Sequence, residues 1–209
     1  VATPEVTTEV ALACASAGKP VCATKPLFDH PARIAAPFAV DLWRLWSDAH
    51  RQIKSIYQQG HADLGIELFG CGPFRDFPGA LDYGPHVIAA LDDIAPGWQI
   101  DDALLGHREE GEPGETFLVE GHSEHGRITV HFGNGAQASG RRMTVSGLGF
   151  FESVEDGEMI GDESKADVLE RFCRSFLGDV AEGFADTRLL NLSRDGMREL
   201  RKIREMATA

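Results

Sequence analysis

Two short segments carry residue types suited to proton transfer. Thr24-Lys25-Pro26 places an ammonium directly after a short apolar run at 20–24. A lysine at the C-terminal end of a parallel strand points into the crevice where α/β sheets bind ligands. There it can hydrogen-bond a hydroxyl undergoing oxidation. Asp82-Tyr83-Gly84-Pro85-His86 places a carboxylate and an imidazole four apart. On a helix that spacing puts both on one face, with Cβ atoms roughly 5–6 Å apart. An imidazole titrates near neutral pH, so it can take a proton from an alcohol while hydride leaves. The neighbouring carboxylate would orient the ring and favour its protonated form. Each segment also has a plain alternative: a surface lysine, and a capped helix start with a partly buried, hydrogen-bonded histidine.

Other residues weigh less. His107, His122, His125 and His131 include a pair flanking Glu124, but the spacing matches no strong metal template. They read better as surface histidines in hairpins. Trp43, Arg44 and Trp46 sit at helical spacing and read as core and interface. Arg141-Arg142 could bind an anionic group, although a solvated strand end is the simpler reading. The acidic stretch 109–115 reads as a hairpin tip.

The elements that must position these residues are legible in outline. Residues 1–4 read as a strand end turning at Pro4. Residues 5–17 read as a helix with an apolar stripe of Val6, Val10, Leu12, Ala13 and Ala17, closed by Gly18. Residues 20–24 read as a short strand, which completes a βαβ pattern. A connector broken by Pro31 and Pro37 leads to a long helix at 41–59, with Leu42, Leu45, Trp46, Ala49, Ile53 and Ile56 on one face. Residues 64–69 read as a strand, 70–80 as irregular, and 80–95 as a second long helix. From 98 to 160 the pattern is mostly strand, with partial alternation at 117–120, 126–132, 137–145 and 150–154. Gly133-Asn134-Gly135 and Asp156-Gly157 are hairpin signals. Helices close the chain at 164–181, capped by Ser164, and at 192–207. The expected fold is α/β (α+β): an open, largely antiparallel sheet with helices on one face, preceded by a truncated βαβ unit.

Bulk properties exclude several function classes. The chain has 209 residues, 43% of them hydrophobic and 25% charged, as in a globular protein. A net charge of −13 repels phosphate backbones, so nucleic acid is not an expected partner. No apolar run approaches the roughly 18 residues of a membrane span, and no secretory signal opens the sequence. A cytoplasmic location is the expectation. Cys14, Cys22, Cys71 and Cys173 form no C-x-x-C pair. Cys14 and Cys22 read as buried small hydrophobes.

Taken together, the segments resemble the glucose-fructose oxidoreductase / inositol dehydrogenase (Gfo/Idh/MocA) family. Its members carry a strand ending in a Thr-Pro turn, a helix ending in Ala-Gly-Lys, and a strand ending in Glu-Lys-Pro. Val1-Ala2-Thr3-Pro4, Ala17-Gly18-Lys19 and Thr24-Lys25-Pro26 follow that order. Gly79 to His86 is similar to the family's D-x-x-x-H helix, and 128–140 to its sheet hairpin. The resemblance implies Lys25, Asp82 and His86 as the catalytic residues. His86 would be the acid/base, Lys25 would orient the reacting oxygen, and Asp82 would bind substrate or orient His86. It implies a nicotinamide cofactor, NAD or NADP, near Thr3, Pro4, Thr24 and Lys25. It also implies a small-molecule substrate such as a sugar or cyclitol, and a homo-oligomer built through the sheet.

Three departures accompany the resemblance. Thr24 replaces the family's glutamate. Thr8 stands where a histidine often follows. No G-x-G-x-x-G fingerprint occurs, Gly70-Cys71-Gly72 being the nearest approach. The expected organisation is a remnant of a dinucleotide-binding domain at 1–32 and a substrate-binding and oligomerisation domain at 33–209. Without the fingerprint, weak or absent NAD(P) binding is expected, along with exposed strand edges on the remnant. A cofactor-free descendant doing acid/base chemistry or ligand binding is the alternative. A further alternative is a SnoaL-like cyclase or isomerase, which Gly140-Arg141-Arg142, Asp156-Gly157 and Asp167 resemble, with Asp167 as base.

Overall fold

The computed structural model describes residues 3–27, 34–60, 64–72, 81, 83–107, 114–134, 140–156, 159–160, 163–185 and 187–209. Helix α1 runs Pro4–Ser16, with the Thr3 side chain accepting from the Val6 amide and proline in its first turn. It buries Thr8, Ala11 and Ala15. The expected stripe is corrected here: Val6 and Val10 are about half exposed. Small side chains let the helix lie close to its short neighbouring strand, and the larger valines face away. Strand β1 (Val21–Ala23) pairs in parallel with β2 (Phe38–Val40). Three apolar residues after Pro37 are too few to show a period, so β2 has no sequence signal.

The expected helix at 41–59 is two elements. A 3-10 turn spans Trp43–Trp46, and α2 spans Asp48–Gln58. Ser47 separates them in an extended conformation, its hydroxyl accepting from the His50 amide at 3.1 Å. A residue that caps competes with helix continuation, so apolar periodicity alone overran the break.

Six longer strands form one open sheet: β3 (Gly65–Gly72), β4 (Gln99–His107), β5 (Glu115–Ser123), β6 (Gly126–Asn134), β7 (Gly140–Gly147) and β8 (Phe150–Asp156). The two-residue strands β9 (Met159–Ile160) and β10 (Glu163–Ser164) extend it, giving the order β10-β9-β8-β7-β3-β6-β5-β4. Every pair is antiparallel except β3 with β6. The hairpin expected at Gly133-Asn134-Gly135 does not join β6 to β7, because β3 lies between them. Gly133 and Asn134 remain in the ladder. A Cβ at Gly133 would lie 2.2 Å from the Glu115 carbonyl, and the buried Asn134 side chain accepts from the Glu115 amide at 3.0 Å. The glycine permits close approach of β5 rather than a turn. Gly135 lies outside the described residues, as do Val1, Ala2 and 73–80.

Helices α3 (Gly84–Ile94) and α5 (Thr187–Ala207) pack with α2 on one face of the sheet. Helix α4 (Lys165–Glu182) opens with Ser164 and Asp167 in a reciprocal capping box and packs on the 3-10 turn. Helix α5 begins five residues before the expected 192. Inward rows cross the sheet. Val119, Val130, Leu68 and Met143 form one, and Phe117, Phe132, Gly70 and Arg141 form the next. The opposite face carries Leu104, Leu118, His131, Phe69 and Arg142 in one row. Leu104 and Leu118 are exposed there.

Two adjacent carboxylates on α3 behave oppositely. Asp93 accepts from His50 Nε2 at 2.9 Å, Lys54 Nζ at 3.0 Å and Arg188 Nη2 at 2.7 Å, joining α2, α3 and α5. These three partners hold it well below the usual carboxylate range despite its burial. Among the described residues Asp92 accepts only from Trp98 Nε1, at 2.8 Å, and its other oxygen is buried without a partner there. Burial, then Glu199 and Asp195, push it up to about 7. A raised carboxyl binds more protons folded than unfolded, so its contribution falls as pH rises through that window. Asp92→Asn keeps the Trp98 acceptor and removes the buried charge. Chemical denaturation should show it more stable by about 1–3 kcal/mol near pH 8, with the gain vanishing near pH 4. An equal effect at both would refute the buried-charge account.

Candidate functional site

The ends of the two parallel strands and the start of α3 carry titratable groups that act on one another electrostatically. Lys25 follows β1, and its peptide bond to Pro26 is cis. Asp41 follows β2 in the same way, its amide donating to the Ala23 carbonyl at 2.8 Å. Both therefore stand at C-terminal ends of parallel strands, the expected ligand side. His86 lies in the first turn of α3. Pro85 beside it is tolerated there because first-turn amides have no helical partner.

His86 is half-buried as a residue, and its Nδ1 is sealed from solvent with no hydrogen-bond partner among the described residues. Its ring meets the Trp43 indole edge-on, centroids 6.4 Å apart. Burial holds its pKa well below the ordinary imidazole value, and Lys25, Arg44, Arg141 and Lys165 push it the same way. Burial and the neighbouring cations thus favour the neutral imidazole. Asp41 is raised by burial and opposed by Lys25 and Lys165, so electrostatics tie it to the same cluster.

Lys25 thus lies within electrostatic reach of His86. Asp82 lies outside the described residues. Thr3 and Pro4 begin α1, and Thr24 and Lys25 end β1. Asp41, Trp43, Arg44, Arg141 and Lys165 were not singled out as site residues by the sequence reading. Asp41 had a usable signal, an acid just after a short apolar run. Arg141 corrects the solvated-end reading: it is only 7% exposed and points inward, whereas Arg142 on the open face pairs with Glu67 at 3.0 Å. Alternation along β7 separates the two.

The remaining candidates sit elsewhere. His122 bonds Asp101 at 2.8 Å at the surface, and His125 stacks edge-on against Tyr57. Among the described residues, no cluster of three or more ligating side chains could hold a metal. Asp167 is an exposed capping residue of α4. Cys14 and Cys22 are exposed, contrary to expectation, and Cys71 is the buried one. Helix α1 leaves its outer side open beside β1, which puts Cys14 and Cys22 at a hollow of about 460 Å³ lined also by Val6, Val10, Pro20 and Thr24. No helix among the described residues is long and apolar enough to cross a membrane.

The architecture is that of Gfo/Idh/MocA-type dehydrogenases. No protein-family model matches the chain, and no curated protein matches it. Solved structures do. A dehydrogenase (MviM) from Clostridium difficile superposes with a TM-score of 0.76 at 14% identity, over 98% of this chain and 77% of that one. Myo-inositol 2-dehydrogenase from Lactobacillus plantarum gives 0.75 at 15%, over 100% and 77%. A 3-ketoreductase from Actinomadura kijaniata, solved with NADP, gives 0.74 at 15%, over 99% and 76%. At such identities the likeness establishes the fold.

Proposed function

We propose that the chain is an oxidoreductase-type protein acting on a sugar, cyclitol or related hydroxy/keto compound with NAD or NADP. The observation that supports this reading is His86, whose Nδ1 is sealed from solvent without a partner among the described residues and whose imidazole feels the charge of Lys25 at the end of a parallel strand. His86 takes the proton of the substrate hydroxyl, and the Lys25 ammonium hydrogen-bonds the same oxygen. Asp82 binds substrate or orients His86. When bound, the cofactor supplies the hydride acceptor.

By the family resemblance, Thr3 and Pro4 at the start of α1 and Thr24 and Lys25 after β1 would line the nicotinamide end of that cofactor. Cofactor-free acid/base chemistry at the same residues is the second reading, since an imidazole such as His86 serves proton transfer without a cofactor. On either reading, 1–32 is a dinucleotide-domain remnant and 33–209 the substrate and oligomerisation domain. The apolar row on the open sheet face supports self-association.

Sedimentation velocity of the 209-residue chain with NADH or NADPH, followed at the nicotinamide absorbance, tests both points. Weak co-sedimentation, becoming measurable between micromolar and millimolar cofactor, at an oligomeric mass is the expected result. Cofactor left behind even at millimolar concentration would sink the hydride-transfer reading for this chain.

A further inference from the structure

The contact that His86 makes with Trp43 is part of a larger bracket. The two rings lie 6.4 Å apart, centre to centre, with their planes at 73°. Edge-to-face aromatic pairs favour separations of roughly 4.5–7 Å. Trp43 is buried and opens the 3-10 turn that follows β2. Two cations lie over its ring. The Arg44 guanidinium carbon is 4.6 Å from the ring centre and Lys165 Nζ is 5.4 Å from it. Both are inside the roughly 6 Å over which an indole attracts a cation. Arg44 belongs to the same turn, whereas Lys165 is the first residue of α4. The turn holds α4 a second time through Trp46, whose ring centre is 5.2 Å from that of Phe172. Trp43 thus stands where β2, α4 and the start of α3 meet.

Two effects reach the imidazole through this indole. The first is orientation. The second torsion of a histidine is broad, and a histidine base is usually aimed by a hydrogen bond to its second nitrogen. Nδ1 of His86 has no such bond among the described residues. The edge-on indole is the contact that can restrict the ring instead. The second effect is charge. Arg44 and Lys165, both on the indole, act on His86 in the same direction as Lys25 after β1 and Arg141 on β7, against protonation of the ring. Asp41, after β2, is the acidic group tied to Lys25 and Lys165.

We propose that Trp43 is a positioning residue for His86: its indole sets the orientation of the imidazole and keeps the Arg44 and Lys165 cations beside it. Its catalytic meaning rests on the reading of His86 as the acid/base.

NMR titration of the full chain, with isotope-labelled histidine, follows the imidazole without substrate or cofactor. The resonance that disappears in His86→Asn assigns it. Trp43→Leu removes the ring and its hold on both cations, so His86 should protonate at higher pH than in the unaltered protein. Trp43→Phe keeps a ring that binds cations more weakly and should give a smaller displacement in the same direction. Lys165→Gln, at an exposed position, should also displace it upward. If Trp43→Leu does not fold, Trp43→Phe carries the test. A His86 titration that superimposes on that of the unaltered protein in the folded Trp43 variants would overturn the proposal, even if their melting temperatures fall, because packing alone lowers stability without moving the titration. Turnover adds a second readout: Trp43→Leu should lower kcat about 10- to 100-fold with little change in KM. A displaced titration together with full turnover in His86→Asn would overturn the acid/base reading and leave the coupling of Trp43 to His86 standing.

Discussion

Replacing Asp93 with alanine should cost the fold about 3 kcal/mol, lowering the melting temperature by about 6–12 °C for a domain of this size. The carboxylate ties three helices through His50, Lys54 and Arg188. Lys54 and Arg188 reach solvent and can rehydrate. His50 cannot: it is buried, and its Nδ1 already has no partner among the described residues. Losing Asp93 would leave both ring nitrogens unsatisfied, which is the expensive part. The pH dependence follows from two depressed groups. The Asp93 carboxyl is lowered in the fold, so its stabilisation is present above the ordinary aspartate pKa and is lost only on strong acidification. His50 is lowered by burial, so stability also declines as pH falls below about 6.5, where the unfolded imidazole charges. Urea unfolding midpoints of the two proteins near neutral pH measure the difference. A gap under about 1 kcal/mol would mean the three partners of Asp93 contribute no more than exposed pairs do.

His86→Asn should lower turnover about 100- to 10,000-fold, the usual range for a positioned acid/base. The loss should fall on kcat rather than KM, because the imidazole acts on a proton in flight. The pH profile distinguishes this role from a packing role. Burial and the charges of Lys25, Arg44, Arg141 and Lys165 keep the ring neutral below its ordinary titration range. Its basic form therefore persists as pH falls, so oxidation should hold its rate through pH about 6.5 and decline only at more acid values. The asparagine variant should lose that acid limb. An unchanged turnover would remove His86 from the chemistry, and an unchanged acid limb would assign the limb to another group.

Much of this was legible from local chemistry. Ser164 announced a helix start, and the capping box with Asp167 is there. Lys25 and His86 were readable as partners only because ordered motifs suggested a known architecture, since sixty residues separate them. What escaped depended on long-range packing. Nothing local distinguishes Arg141 from Arg142; the ladder with β3 decides which one faces inward. The Gly-Asn-Gly run has turn chemistry, yet Gly133 is used for close backbone approach. Val6 and Val10 look like a core stripe, but their neighbour is a three-residue strand too small to cover them.

The central position of β3 also bears on how the chain is made. Both of its partners, β6 and β7, are encoded far downstream. A ribosome adding about 5–20 residues per second leaves β3 complete for several seconds before either partner emerges. During that interval Ile66, Leu68 and Phe69 stand in a strand with two bare edges, open to pairing with other nascent chains. The strand that ends most enclosed is thus the one longest exposed during synthesis, and the wait for β6 is a hazard separate from the stability of the finished sheet.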